Sequence, residues 1–142
     1  MGGDERDPGR AVTKAATPAL LDVLIVDDSA VDAELLPLLL HDRGVAARFR
    51  HAHDAVSMRT ALQSASPHLI LSDVNMPGFG GAQAFALRCE LAPQARFCFV
   101  SDDTASAIGL PKADGLLRKD AIDHLVTRIA GWFGQHDAEV DA

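Results

Sequence analysis

Residues 69–78 read LILSDVNMPG, and this stretch decides the fold. Its first three residues are apolar, Ser72 and Asp73 are polar, and Pro77 and Gly78 belong to a predicted tight turn. A short apolar run bounded by turn residues is typical of a strand in a parallel sheet. We therefore expect Asp73 to stand at the carboxyl end of a strand.

The rest of the chain alternates short apolar runs with longer amphipathic ones. This pattern predicts parallel strands joined by helical crossovers. The predicted strands are 23–26, a segment near Phe49, 69–71, 97–100 and 116–117, and the predicted helices are 31–40, 55–62, 82–91 and a last one with apolar residues from Ile122 to Phe133. Asp120 is the expected N-cap of this last helix.

Two local features modify this scheme. Pro37 lies inside the first predicted helix, where it removes a backbone hydrogen bond, and it predicts a bend. Between Val100 and Leu116 only fifteen residues remain, with glycines and a proline among them. A fourth crossover helix is therefore expected to be short or missing.

Length and charge limit what the protein can be. Its 142 residues suit one compact domain, placed at residues 20–135 between a flexible N-terminal leader at 1–19 and a short C-terminal tail at 136–142. The formal net charge of -7 repels a phosphate backbone, so direct nucleic-acid binding is not expected. No bilayer-length apolar run or signal peptide is found, which predicts a soluble cytoplasmic protein without membrane insertion.

Polar side chains stand at the carboxyl ends of four predicted strands. They are Asp27 with Asp28, then Asp73, Ser101 and Lys119. In an open parallel sheet these ends form the ligand crevice, so we expect the side chains to converge on one site. Carboxylates packed this closely repel one another unless a cation joins them, and oxygen ligands favour a hard ion such as Mg²⁺.

Four short motifs in a fixed order carry a family resemblance. They are VDDS at 26–29, LSDVNMPG at 71–78, VS at 100–101 and RK at 118–119. This set resembles the signature of response-regulator receiver domains over about residues 20–133. The resemblance implies an α/β, flavodoxin-like three-layer sandwich whose five parallel strands have the order 2-1-3-4-5.

The resemblance also implies a role for each matching residue. Asp73 is the expected phosphoacceptor, with Ser101 and Lys119 contacting the phosphoryl oxygens. The expected ligands of Mg²⁺ or Mn²⁺ are Asp27, Asp28, Asp73 and the backbone carbonyl of Asn75. Implied partners are a sensor histidine kinase or a histidine phosphotransfer protein and an unknown downstream protein. The chain would thus be a two-component phosphorelay switch that catalyses only transfer to, and hydrolysis from, its own aspartate.

The chain departs from the family pattern at several positions. Leu116 stands where an aromatic is usual, Asp120 replaces the usual proline, and Gly80 stands where Asp is frequent. The segment after Ser101 is also shorter by about one helical turn. One hypothesis is that residues 102–115 form the mobile element of the switch. The alternative function is a degenerate receiver that acts as a phosphorylation-independent scaffold.

A small phosphatase with an aspartyl nucleophile is a third possibility. Such an enzyme would place a second Asp two residues after the nucleophile, and Asn75 at that position disfavours it. His51 and His53 have the spacing of a metal pair, but we interpret them as solvated or edge-strand residues. Cys89 and Cys98 form no Cys-x-x-Cys motif, and both are interpreted as reduced core residues.

Overall fold

The computed structural model describes residues 20–102 and 109–134. Strands β1 to β5 span Leu21–Val26, Ala47–Ala52, Leu69–Asp73, Arg96–Ser101 and Gly115–Arg118. Helices α1 to α4 span Ala30–Asp42, Ala55–Ser64, Gly81–Leu91 and Ile122–Phe133. Strand and helix alternate from β1 to β4, as the apolar pattern predicts, and α4 follows β5.

The five strands form one parallel sheet in the order β2-β1-β3-β4-β5. This is the predicted flavodoxin-like order 2-1-3-4-5. Strand order reverses between β1 and β3, whose carboxyl ends therefore border the crevice typical of such sheets. Val26 pairs with Ser72, so Asp27 and Asp73 follow at the same level of the sheet.

Both faces of the sheet are covered, which makes three layers. One core cluster joins Leu24, Val26 and Ile70 of the sheet to α2 and α3. The other joins Val23, Ile25 and neighbouring strand residues to α1 and α4. Burial on both faces explains why the central strands are continuous apolar runs rather than alternating ones.

The predicted cap of the last helix is wrong. The N-cap of α4 is Ala121, with no side-chain cap, one residue after Asp120. The carboxylate of Asp120 instead accepts two hydrogen bonds from Arg118, at 3.0 and 2.9 Å. This pairing lowers the pKa of Asp120. A nearby guanidinium thus outcompetes the backbone amides of the helix.

Three further predictions have different outcomes. Helix α1 continues through Pro37, and the predicted bend stays a prediction. Between β4 and β5, Asp102 and residues 109–114 are not helical. Residues 103–108, which are part of the proposed mobile element, lie outside the described residues. Both cysteines are free, but Cys89 is exposed and only Cys98 is a core residue, so the interpretation of Cys89 is wrong.

Candidate functional site

Three carboxylates meet at the carboxyl edge of the sheet. One oxygen atom from each of Asp27, Asp28 and Asp73 lies within 4.8 Å of the others. Asp27 and Asp28 follow β1, and Asp73 is the last residue of β3, so the parallel register brings them together. The first and third are buried, whereas Asp28 is exposed.

This cluster has the dimensions and chemistry of a site for a small hard cation. Two oxygens on an octahedral Mg²⁺ lie at most about 4.2 Å apart, since each Mg–O distance is about 2.1 Å. At most one pair among three such ligands can lie at that distance and the other pairs must be about 3.0 Å apart, so the three oxygens, which lie within 4.8 Å of one another, would draw together around a bound ion. An exposed carboxylate at one side leaves room for the water ligands that Mg²⁺ retains. The residues present thus fit the predicted metal.

Lys119 supplies the counter-charge of the cluster. Its ammonium donates to Asp27 Oδ2 at 2.9 Å and to Asp32 Oδ2 at 2.8 Å, and lies 3.5 Å from Asp73 Oδ1. Burial lowers the pKa of Lys119, but the hydrogen bonds to Asp27 and Asp32, together with the charges of Asp27 and Asp73, outweigh burial and raise it overall. The side chain is therefore a permanent cation inside the cleft.

The two buried carboxylates are held in different ways. Asp27 accepts from the Ser29 backbone N–H at Oδ1 (2.9 Å) and from Lys119 at Oδ2, so each oxygen already has a donor. Asp73 Oδ1 accepts from the Val74 N–H at 2.9 Å, which orients its carboxylate. Burial raises the pKa of Asp73, Lys119 opposes that rise, and the charge of Asp27 adds to it. A bound cation would favour the ionised form.

Ser101 lies where the sequence predicts, at the end of β4 beside the cluster. Asp73 pairs with Val100, which puts Ser101 one residue beyond it. The Lys119 backbone N–H donates to the Ser101 carbonyl at 2.8 Å, which ties β4 to the residue that carries the ammonium. Ser101 is buried. Asn75 is exposed in the loop after β3, and its carbonyl as a metal ligand stays a prediction.

The loop between β3 and α3 is closed by backbone bonds. The Phe79 N–H donates to the Met76 carbonyl, and the Gly81 N–H donates to the Val74 carbonyl at 3.1 Å. Gly78 has a φ of 76°, a conformation that residues with a Cβ seldom adopt. The residues next to Asp73 are thereby held in one arrangement.

Two contacts to this site were missed by the sequence reasoning. Asp32 lies three residues after the N-cap Ser29, a position at which an acid is ordinarily interpreted as a helix-start residue. Its carboxylate instead binds Lys119, 87 positions away, which local spacing does not indicate. His51, exposed on edge strand β2, lies with Nε2 2.8 Å from the Asp27 carbonyl oxygen. His53 is exposed as predicted.

Within residues 20–102 and 109–134, no helix combines the length and apolar character needed to cross a membrane.

Comparisons with known proteins agree with this fold. A family profile described as "Response regulator receiver domain" matches residues 23–130. None of the curated proteins matches the sequence significantly.

Solved structures of receiver domains superpose on most of the chain. A signal receiver domain of an HD domain-containing protein from Pseudomonas fluorescens has a TM-score of 0.70 at 20% identity and covers 88% of this chain and 95% of its own. TrrA from Thermotoga maritima, in complex with Mg(2+)-BeF, has a TM-score of 0.70 at 21% identity and covers 80% and 99%. A response regulator from Burkholderia pseudomallei with a phosphorylated aspartic acid and a calcium ion has a TM-score of 0.61 at 26% identity and covers 85% and 71%.

These likenesses support the fold, and the profile match extends over most of the chain, including every predicted site residue. The chain therefore belongs to the response regulator receiver domain family.

Proposed function

We propose that this protein is a phosphoacceptor response regulator of a two-component system. Asp73 accepts the phosphoryl group, a Mg²⁺ or Mn²⁺ ion is held beside it by Asp27, Asp28, Asp73 and the Asn75 carbonyl, and Ser101 and Lys119 contact the phosphoryl oxygens. The carrying observation is the convergence of three carboxylates within 4.8 Å, with the Lys119 ammonium 3.5 Å from Asp73.

Phosphoryl transfer requires the protein mainly to position the reacting groups and to neutralise the charge on the phosphoryl oxygens. A carboxylate oxygen of Asp73 forms a bond to phosphorus while the bond from phosphorus to the donor breaks, and the departing group keeps the electron pair. The metal, when bound, neutralises charge on the phosphoryl oxygens. The Val74 N–H aims the Asp73 carboxylate, and the Lys119 ammonium, 3.5 Å from the same Oδ1 atom, adds a fixed positive charge.

A phosphohistidine is the donor that the family membership favours. A sensor histidine kinase or a histidine phosphotransfer protein would present it at the exposed side of the cluster, where Asp28 meets solvent. The Burkholderia pseudomallei relative with a phosphorylated aspartic acid supports the same acceptor chemistry here. Output then passes by protein contact to a downstream partner.

Acetyl phosphate and Mg²⁺ test the proposal without knowledge of the kinase. We expect intact-mass spectrometry to show a mass gain of one phosphoryl group. This gain should be absent when EDTA removes the metal, and absent in the Asp73→Asn variant. Asp42→Asn is the matched control, because it removes the same charge from the exposed end of α1 and should keep the label. Transfer from a panel of purified sensor kinases and phosphotransfer proteins then identifies the donor.

The scaffold alternative makes the opposite prediction. Leu116, an exposed residue of β5, stands where the family usually carries its moving aromatic, and it is the observation that favours this alternative. Wild-type protein that gains no phosphoryl group from acetyl phosphate or from any donor in the panel would reject the switch in favour of the scaffold. A label that survives in Asp73→Asn would reject Asp73 as the acceptor.

A further inference from the structure

The Lys119 ammonium is not centred on Asp73. Its two short hydrogen bonds go to Asp27 and Asp32, at 2.9 and 2.8 Å, while its distance to Asp73 Oδ1 is 3.5 Å. Charge-assisted N–H···O bonds are normally about 2.7–2.9 Å long. The two carboxylates on the α1 side of the cleft therefore hold the cation away from the proposed acceptor.

The two holding carboxylates differ in how easily they can release the ammonium. The Asp27 side chain is 3% exposed and cannot be hydrated in place of Lys119, whereas the Asp32 side chain is 37% exposed. A buried carboxylate that loses its partner is costly, but a half-exposed one exchanges its partner for water. The bond to Asp32 is thus the one that Lys119 can give up.

The backbone N–H of Asp32 is hydrogen-bonded independently of the Asp32 side chain. Its N–H donates to the Ser29 hydroxyl at 3.2 Å, in the first turn of α1. The carboxylate is then free to face Lys119 without being needed to start the helix. Replacing the charge should leave the cap of α1 in place.

We propose that Asp32 is a positioning residue that restrains Lys119 on the α1 side of the cleft and competes with the phosphoryl group for it. The inference rests on the proposed function. When a phosphoryl group adds charged oxygens to Asp73, Lys119 moves toward them and its bond to Asp32 is broken. Asp32 therefore sets how tightly the site holds the phosphoryl group.

The test compares Asp32→Asn with wild type in binding fluoroberyllate, a phosphoryl mimic, in the presence of Mg²⁺. We expect Asp32→Asn to lower the Kd by about two- to fivefold, the size that loss of a partly exposed competing ion pair gives. Asp32→Glu keeps a carboxylate and should stay near wild type. Glu34→Gln is the matched control, since residue 34 is exposed on α1 and lies about 200° around the helix from residue 32.

A second readout reports on Lys119 itself. The chain has three lysines, so NMR of protein with isotope-labelled lysine resolves the Lys119 Cε resonance, assigned with Lys119→Arg. In ligand-free Asp32→Asn, the chemical shift of Lys119 Cε should lie between the shifts of free and of fluoroberyllate-bound wild type. Circular dichroism checks that each variant keeps its helices. A purely structural role for Asp32 would not produce this intermediate position.

The outcomes separate the two proposals. Wild type that binds no fluoroberyllate would overturn the proposed function, and this inference with it. Wild type that binds, together with an unchanged or higher Kd and an unmoved Lys119 resonance in Asp32→Asn, would overturn the restraint by Asp32 alone. A Glu34→Gln variant that matches Asp32→Asn would also overturn it, because the effect would then be one of net charge.

Discussion

Replacing Gly81 by alanine should destabilise the protein, although alanine is the better helix former. Gly81 is the buried first residue of α3. A Cβ at this position would lie 2.8 Å from Phe99 Cε1 and 3.3 Å from Leu110 Cδ2. Normal carbon–carbon contacts are about 3.5–4.0 Å, so the first of these is at least about 0.7 Å too short.

The Phe99 ring has little space in which to yield. It is 2% exposed, and the rings of Phe97 and Phe85 lie at centroid distances of 4.9 and 6.4 Å. Overpacking of this kind typically costs about 1–3 kcal/mol. The helix propensity gained by removing a glycine is at most about 1 kcal/mol. Because the contact of 2.8 Å puts the overpacking cost in the upper part of that range, about 2–3 kcal/mol, the expected net effect is a loss of about 1–2 kcal/mol in the free energy of unfolding.

Urea denaturation followed by circular dichroism measures this difference. Gly131→Ala is the matched control: residue 131 is an exposed position in α4, and a Cβ there meets nothing within 4 Å. That variant should gain about 0.5–1 kcal/mol. The reasoning is refuted if Gly81→Ala is as stable as wild type or more so, because the Phe99 ring would then have moved at no cost.

Two other predictions concern carboxylates at opposite ends of the sheet. Asp73→Asn should stabilise the metal-free protein at neutral pH, because burial and a neighbouring carboxylate raise the pKa of Asp73 and so disfavour its charged form in the fold. The cost of holding Asp73 ionised in the fold is fully present above its pKa in the folded protein. Thermal melts in EDTA should therefore show the stability advantage of Asp73→Asn shrinking as the pH falls toward 3.8, the ordinary pKa of an Asp side chain. A variant less stable than wild type in EDTA would contradict this. Asp22→Asn should lose about 1.5–3 kcal/mol, since its side chain, 12% exposed, bonds Arg50 at 3.1 Å and Arg48 at 3.2 Å. Asp123→Asn breaks the ion pair with Arg43, in which the Asp123 side chain is 85% exposed, and should lower the free energy of unfolding much less. Equal losses of stability in the two variants would count against a role for burial.

Much of the site could be predicted because its residues stand at strand ends. Asp73 follows an apolar run that can only be a buried strand in this context, and Asp27 follows another. Parallel strands place their carboxyl ends at one edge, so convergence follows from the strand pattern together with the order of the strands. The family resemblance adds the roles of these residues, which spacing alone does not give.

Residues outside that rule were harder to predict. Asp120 was expected to cap α4 from its position before an apolar helix, but the flexible Arg118 side chain beside it offers a stronger partner. Cys89 was expected in the core, whereas α3 turns that residue toward solvent. In both cases the outcome depends on the direction of a side chain, which composition and spacing do not specify.

The sequence by itself determines the parallel α/β architecture, the acidic cleft and its lysine, because these follow from local apolar periodicity and from what stands at each strand end. Only the tertiary structure decides which carboxylates the Lys119 ammonium pairs with, and how closely. The bond between Lys119 and Asp32 joins residues 87 positions apart, and its length relative to the contact with Asp73 depends on how α1 packs against α4, the helix that follows Lys119. Electrostatic energy varies with distance and burial at the scale of an ångström, and those quantities exist only once the chain has folded.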